Sequence, residues 1–235
     1  MPSNWMYDEF RHAGVDYADT QTADTYDEQH TRFRDYAKEF EEMLSFLDMT
    51  ETADRTLIDL GCGTGALSVF AAEHFRHVYS VDVSEVMLAQ LRKKAVAEKL
   101  DNISIIRGGF LGYVHEGEPV DLLVTKFAFH HLPDFWKQVA LMNMHRMLRP
   151  GGCLYMADVI FTFPPAEYER RIGGWLDWFV NKTGEQFASE AATHLRDEYS
   201  TFSWIMNGML ERAGFTVKKQ RSLDGFSTEY HCIRA

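Results

Sequence analysis

Leu57-Ile-Asp-Leu-Gly-Cys-Gly-Thr-Gly65 is the stretch on which the reading of the whole chain turns. Thr56 to Leu60 is an apolar run of strand length, Gly61 to Gly65 is a tight turn, and Leu67, Phe70 and Ala71 follow at helical spacing. Glycines directly after a strand and before a helix let the backbone approach a ligand closely. Asp82 lies 21 residues beyond Gly61, at the end of the next apolar run, Val78 to Asp82. A carboxylate there can accept hydrogen bonds from both hydroxyls of a ribose. Together these features predict a nucleoside-containing ligand.

Outward from this turn, strand and helix patterns alternate. Ser84 is a predicted N-cap for a helix with Leu88, Leu91 and Ala95 on one face. Ile103 to Ile106 and Val120 to Thr125 read as the third and fourth strands. Pro133 opens a helix with Trp136, Val139, Ala140, Met144 and Met147 inward, which stops at Arg149-Pro-Gly-Gly152 before a fifth strand, Cys153 to Val159. Almost wholly apolar strands between amphipathic helices mean a parallel sheet covered on both faces. Phe215 to Gln220 and Phe226 to Ile233, joined through Leu223-Asp-Gly225, read as an antiparallel hairpin. The fold expected is α/β: a doubly wound, mostly parallel seven-stranded sheet with a C-terminal hairpin, a helical N-terminal arm and a helical insert after strand five. The single domain divides into an arm (1–50, with a helix from Thr31 to Leu47), a core (51–160), a cap insert (161–204) and a last helix with the hairpin (205–235). Tyr168, Ile172, Trp175 and Phe179 fall on one helical face of the insert, either as core packing or as an aromatic lid.

Composition narrows the partners. The 235 residues carry 24 Lys and Arg against 35 Asp and Glu, a net charge of −11. Such a surface repels phosphate backbones and anionic lipid, so neither nucleic acid nor membrane is an expected partner. Arg92-Lys93-Lys94, the nearest basic run, falls in a helical pattern and reads as a solvated face. Cys62, Cys153 and Cys232 are odd in number and lack C-x-x-C spacing, which argues against a disulfide framework or structural zinc and for the cytoplasm. No apolar stretch approaches a membrane span, and Met1 to Asp8 carries no signal-peptide pattern.

Gly61-x-Gly63-x-x-Ala66 also meets the dinucleotide fingerprint with alanine as its third small residue. Three features weigh against a dehydrogenase. Asp59, before the glycines, would repel a pyrophosphate yet welcome an amino group. No second nucleotide-binding half follows strand five, and little length remains for a separate substrate domain.

These residues resemble the S-adenosylmethionine-dependent methyltransferases of the Rossmann-like class. The resemblance is close over about Thr56 to Val159 and looser over Glu211-Arg-Ala-Gly-Phe215 and the hairpin. It implies that the backbone of Gly61, Cys62 and Gly63 lies against the amino-acid part of the cofactor, with Asp59 orienting it. Val81-Asp-Val-Ser-Glu-Val-Met-Leu88 resembles the second motif, placing Asp82 on the ribose and Val83 and Met87 beside adenine. Asp121 to Asp134 is similar to the segment that faces both cofactor and acceptor, and Leu148-Arg-Pro-Gly-Gly152 to the loop before strand five. In Arg107-Gly-Gly-Phe110, Gly109 occupies the place where the family often has an aspartate for the adenine amine. That leaves adenine to backbone groups near Phe110 and to apolar stacking. Lys126 stands where small polar residues are common, and its ammonium either meets the cofactor carboxylate or points outward as a surface lysine.

Methyl transfer from a sulfonium is an in-line displacement, and a base is needed only when the acceptor must lose a proton. His131 is the candidate base and His130 a candidate acceptor contact, each against a reading as a hydrogen-bonded loop residue. Spacing does not make His130, His131, Asp134 and His145 converge on a metal, and none is expected. Neither an Asn/Asp-Pro-Pro-Tyr/Phe nor a Pro-Cys follows strand four, which disfavours adenine, glutamine and cytosine as acceptors. A small, apolar or aromatic acceptor is expected, under Tyr17 and Tyr26 of the arm and Trp175 of the insert. The alternatives are a nicotinamide-dependent oxidoreductase and a non-catalytic S-adenosylmethionine-binding protein.

Overall fold

The computed structural model describes residues 5–11, 14 and 35–235. Strands β1 (Thr56–Leu60), β2 (His77–Asp82), β3 (Ile103–Arg107), β4 (Val120–Lys126) and β5 (Leu148–Asp158) share a sheet with β8 (Phe215–Leu223) and β9 (Ser227–Arg234). Their order is β3-β2-β1-β4-β5-β9-β8, and only β9 runs against the others. From β1 the chain winds outward through β2 and β3, then crosses back to place β4 on the other side of β1. That reversal opens a crevice at the carboxyl ends of β1 and β4, which is where ligands bind in such sheets. The predicted hairpin is present, and Asp224 and Gly225 at its tip both have positive φ, 57° and 84°.

Helices α1 (Tyr36–Phe46), α2 (Ala66–His74), α3 (Glu85–Ala97) and α4 (Asp134–Met147) precede or connect these strands, and α7 (Ser203–Arg212) leads into β8. Alternation along each strand divides the apolar residues between two layers. Leu57, Leu122, Val124 and Tyr155 pack with Phe40, Met43 and Ala71 of α1 and α2. Ile58, Leu123, Leu154 and Met156 pack with Leu141 and Met144 of α4 and Met206 and Leu210 of α7. Helix α1 starts at Tyr36, where Asp35 caps it by accepting a 3.1 Å bond from the Lys38 N–H. The expected start at Thr31 lies outside the described residues. Ser84 caps α3 as its sequence predicts, accepting from the Met87 N–H at 3.3 Å.

Three expectations change. Helix α4 ends at Met147, and β5 begins at once with Leu148 paired to Val120, so Arg149-Pro-Gly-Gly152 belongs to the strand. A register shift opposite Val120 and Leu122 absorbs the proline and glycines, and Arg149 Nε holds Asp121 at 2.6 Å. The insert is not helical throughout. Helices α5 (Tyr168–Thr183) and α6 (Glu185–Asp197) stand on a short parallel pair, β6 (Ile160–Phe161) with β7 (Thr201–Phe202), beneath which Phe161, Phe163, Phe202 and Phe226 pack. On α5, Tyr168 is exposed while Ile172, Trp175 and Phe179 are half-buried. The arm, over residues 5–11, makes turns rather than helix. Asp8 accepts the Phe10 N–H on its side chain and the Arg11 N–H on its carbonyl, and Trp5 stacks on Trp136.

Candidate active site

The glycine turn is pinned from two sides. Gly61 and Cys62 donate their N–H groups to the Val81 carbonyl at 2.8 and 3.1 Å. Asp82 accepts from the Gly63 N–H on one oxygen and from the Ser84 N–H on the other, both at 2.8 Å. One carboxylate therefore joins the turn to the start of α3. Asp59 lies beneath the turn, 3% exposed, and accepts from Ser68 Oγ at 2.6 Å. Burial raises its carboxyl from 3.8 to about 7; the Ser68 bond opposes that rise, Asp82 adds to it, and Lys126 lowers it. The Cys62 thiol is pushed well above its usual range by burial, so it is no nucleophile at neutral pH.

A single cavity opens above this floor. Asp59, Gly61, Cys62, Gly63, Asp82, Val83, Met87, Gly109, Phe110 and Lys126 all line it, and so does His131. Sequence reasoning missed Glu9, Arg11, Tyr36, Glu39, Phe40, Phe127 and Leu132, which line it too. Glu9 occupies the space beside Gly109. Its carboxylate accepts from the Leu111 and Gly112 N–H groups at 2.8 and 2.7 Å, and a Cβ on Gly109 would lie 2.4 Å from Glu9 Oε2. An acid from the arm thus fills the space beside Val83 left by the missing aspartate side chain. Lys126 pairs with Glu39 Oε2 at 2.6 Å, so its ammonium arrives at the cavity already matched to a carboxylate of α1. Phe127 holds φ at 52°, which is costly for an aromatic residue, and its N–H is anchored on the Ala157 carbonyl at 2.8 Å.

The two histidines part company. His131 lies on the cavity wall, whereas His130 lies behind it. His130 Nδ1 meets Asp158 Oδ1 at 2.5 Å, and its Nε2 lies 3.3 Å from Glu198 Oε2. Asp158 also accepts the Phe129 and His130 N–H groups at 2.7 and 3.2 Å. Burial alone would raise the Asp158 carboxyl, but His130 holds it down at about 2. Burial, with His130 beside it, pushes His131 down to about 4. Asp134 and His145 do not join this group. Asp134 bonds Lys137 and Thr201, and His145 packs edge-on to Phe215. Trp175 is also away from the cavity wall, stacked on Phe226 with centroids 4.8 Å apart. Tyr17 and Tyr26 lie outside the described residues.

A family model described as a methyltransferase domain matches residues 57–152. An uncharacterized methyltransferase of Geobacillus kaustophilus is 31% identical over 202 residues, covering 84% of this chain and 83% of the relative. The chain belongs to the class I S-adenosylmethionine-dependent methyltransferases. A second relative of this methyltransferase, from Geobacillus thermodenitrificans, is 34% identical over 198 residues, 84% of this chain and 83% of that one. A methyltransferase structure from Aquifex aeolicus has the same fold, with TM-score 0.64 at 16% identity over 92% of this chain and 99% of that chain. The methyltransferase cavity fits its cofactor on one direct observation. A methyl group in place of a Gly63 hydrogen would meet no described protein atom within 4 Å, so the turn faces open space beside two carboxylates.

Proposed function

We propose that this methyltransferase acts on a small-molecule acceptor and holds its cofactor across the ends of β1 to β4. The reading is carried by the convergence of Asp59, the Gly61–Gly63 backbone, Asp82, Val83, Met87 and Phe110 on one cavity. Asp59 would take the amino group, Asp82 the ribose, and Val83, Met87 and Phe110 the adenine, with Glu9 beside its edge. When bound, S-adenosylmethionine supplies an electrophilic methyl group whose bond to sulfur breaks as the acceptor's lone pair forms the new one. The protein's part is to hold the two collinear and to exclude water. Tyr36, Phe40, Phe127 and Leu132 supply an apolar wall for the acceptor, and His131 is the polar side chain we assign to touch it. The net charge of −11 supports a small acceptor over a nucleic acid. Three free thiols support a cytoplasmic setting, and no helix among the described residues is long and apolar enough to cross a membrane. We treat 1–235 as a single domain, with 1–50 and 161–204 as its covers.

Calorimetric titration with S-adenosylmethionine and with a nicotinamide dinucleotide is the first test. Binding of the first alone is expected, followed by S-adenosylhomocysteine formation with members of a panel of small apolar and aromatic acceptors. Turnover only with a protein or nucleic-acid substrate would overturn the small-molecule reading.

Asp59 gives this site a pH dependence. A cationic amino group needs the carboxylate ionised, and Asp59 is protonated below about 7. Affinity for S-adenosylmethionine is expected to fall as pH drops below about 7, approaching tenfold per unit. Asp59→Asn should weaken binding and remove that slope. The raised value has a second consequence for the free protein. Asp59 favours folding most below the carboxyl's unfolded value of 3.8, and that contribution is lost as pH rises to about 7. Asp59→Asn, which keeps an acceptor for Ser68, is therefore expected to raise the ligand-free Tm at pH 8 and to change it less at pH 5.

A further inference from the structure

A cluster of metal-ligating side chains lies just behind the cavity wall. His130, His131 and Glu198 bring one ligand atom each within 4.8 Å of one another. We propose that these three residues bind one divalent transition-metal ion, zinc or an ion of similar ligand preference, with an open position toward the acceptor. The ion itself does not depend on the cofactor pose proposed above; only its use by an acceptor does.

Four observations carry the assignment. First, His130 pairs through Nδ1 with Asp158 and turns Nε2 toward Glu198, so a metal ion would take the place of the proton between Nε2 and Glu198. Metal-ligating histidines commonly pass their other ring N–H to a carboxylate in this way. Second, His130 Nε2 and Glu198 Oε2 stand 3.3 Å apart. Two ligand atoms on a tetrahedral ion with bonds of about 2.0–2.1 Å are separated by about 3.3–3.4 Å. Third, Glu198 is itself oriented, because His194 Nδ1 pairs with its Oε2 and His194 Nε2 bonds Ser200 Oγ at 2.6 Å. Each of two ligands therefore has an outer partner. Fourth, the Asp158 and Glu198 side chains are both only 2% exposed. Two buried carboxylates beside imidazoles form a site where a divalent ion can replace the imidazole protons and still balance the negative charge.

The surroundings fit a working rather than a sealed site. His131 reaches the cavity, so an ion held by it would present its fourth position to whatever lies beside the cofactor. On the far side the backbone of Gly14 closes over Glu198, where a Cβ would lie 2.1 Å from Oε1. The ligand class that suits such a position is an acceptor with a metal-binding oxygen, a hydroxyl or carboxylate next to the atom to be methylated.

The test is equilibrium dialysis of the full-length, tag-free protein against Co²⁺ without S-adenosylmethionine, read by elemental analysis and visible absorption. One Co²⁺ per chain is expected, with the intense visible bands of a four-coordinate site, displaced by Zn²⁺. Glu198→Gln and His131→Ala, each checked for folding by circular dichroism, should weaken binding about tenfold or more. His145→Ala, remote from the cluster, should leave it unchanged. Wild-type protein that binds no Co²⁺, or binds it no more tightly than both folded variants, would overturn the proposal and leave the cluster a hydrogen-bonded brace. Cofactor affinity, measured separately by calorimetry, keeps such a failure distinct from failure of the proposed cofactor pose.

Discussion

Asp82→Ala is expected to weaken S-adenosylmethionine binding by about 1.5–3 kcal/mol, roughly 10- to 150-fold in Kd. The lower end is one lost hydrogen bond to a charged group, and the upper end is the loss of a partner for both ribose hydroxyls. The structure adds a second route to the same loss. Asp82 also holds the Gly63 and Ser84 N–H groups, so its removal loosens the turn as well as the ribose contact. Asp82→Asn separates the two, since an amide oxygen can keep one of those backbone bonds while the charge is gone. Calorimetry on both variants, with melting curves to confirm folding, reads the result. An unchanged Kd in folded Asp82→Ala would remove the ribose assignment.

Gly65→Ala is expected to cost stability rather than affinity. Gly65 has φ of 73°, and a Cβ there would lie 2.2 Å from Leu91 Cδ1. Leu91 is fully buried on α3, so making way for that Cβ means repacking the core around it. A left-handed alanine costs about 1–2 kcal/mol, and overpacking a filled core typically about 1–3 more. In a protein of this size such a sum lowers Tm by something on the order of 10 °C. Gly63→Ala is the contrast: its φ of 54° costs about as much strain as that of Gly65, but its Cβ meets open space. Gly63→Ala should melt within a few degrees of wild type yet bind cofactor poorly, because the added methyl points where the ligand belongs. Differential scanning calorimetry and ligand titration on the pair separate the two roles. Equal Tm losses would show that the contact with Leu91 is not what requires glycine at 65.

The contrast between these glycines also shows what a sequence can carry. The ten residues predicted to hold the cofactor lie between Asp59 and Lys126, close to the ends of neighbouring strands. Strand periodicity and the parallel sheet bring those ends together, so the linear pattern is already a spatial one. Glu9 and Glu39 had no such signal. They reach the cavity from elements outside the alternating pattern, and one acid in an acidic segment looks like any other. Glu198 lies 68 residues beyond His130 in the chain, across the insert, and no spacing rule spans that distance. Phe127 was invisible for a different reason: its positive φ follows from the turn after β4, not from the residue type. The early start of β5 was missed because Pro-Gly-Gly is a stop signal in helices but also fits a bulged strand.

The short β6–β7 pair also bears on how such an enzyme can diversify. Ile160 faces Thr201 and Phe161 faces Phe202, so the segment of α5 and α6 leaves and re-enters the core at one point. For a segment whose ends are held together, each doubling of length costs only about 0.6 kcal/mol of closure entropy. Natural variation can therefore lengthen, shorten or exchange this segment with little penalty to the sheet. The floor under the cofactor has no such freedom, since Leu91 dictates glycine at 65. Lineages descending from this architecture are expected to vary fastest in this segment and slowest in the glycine turn.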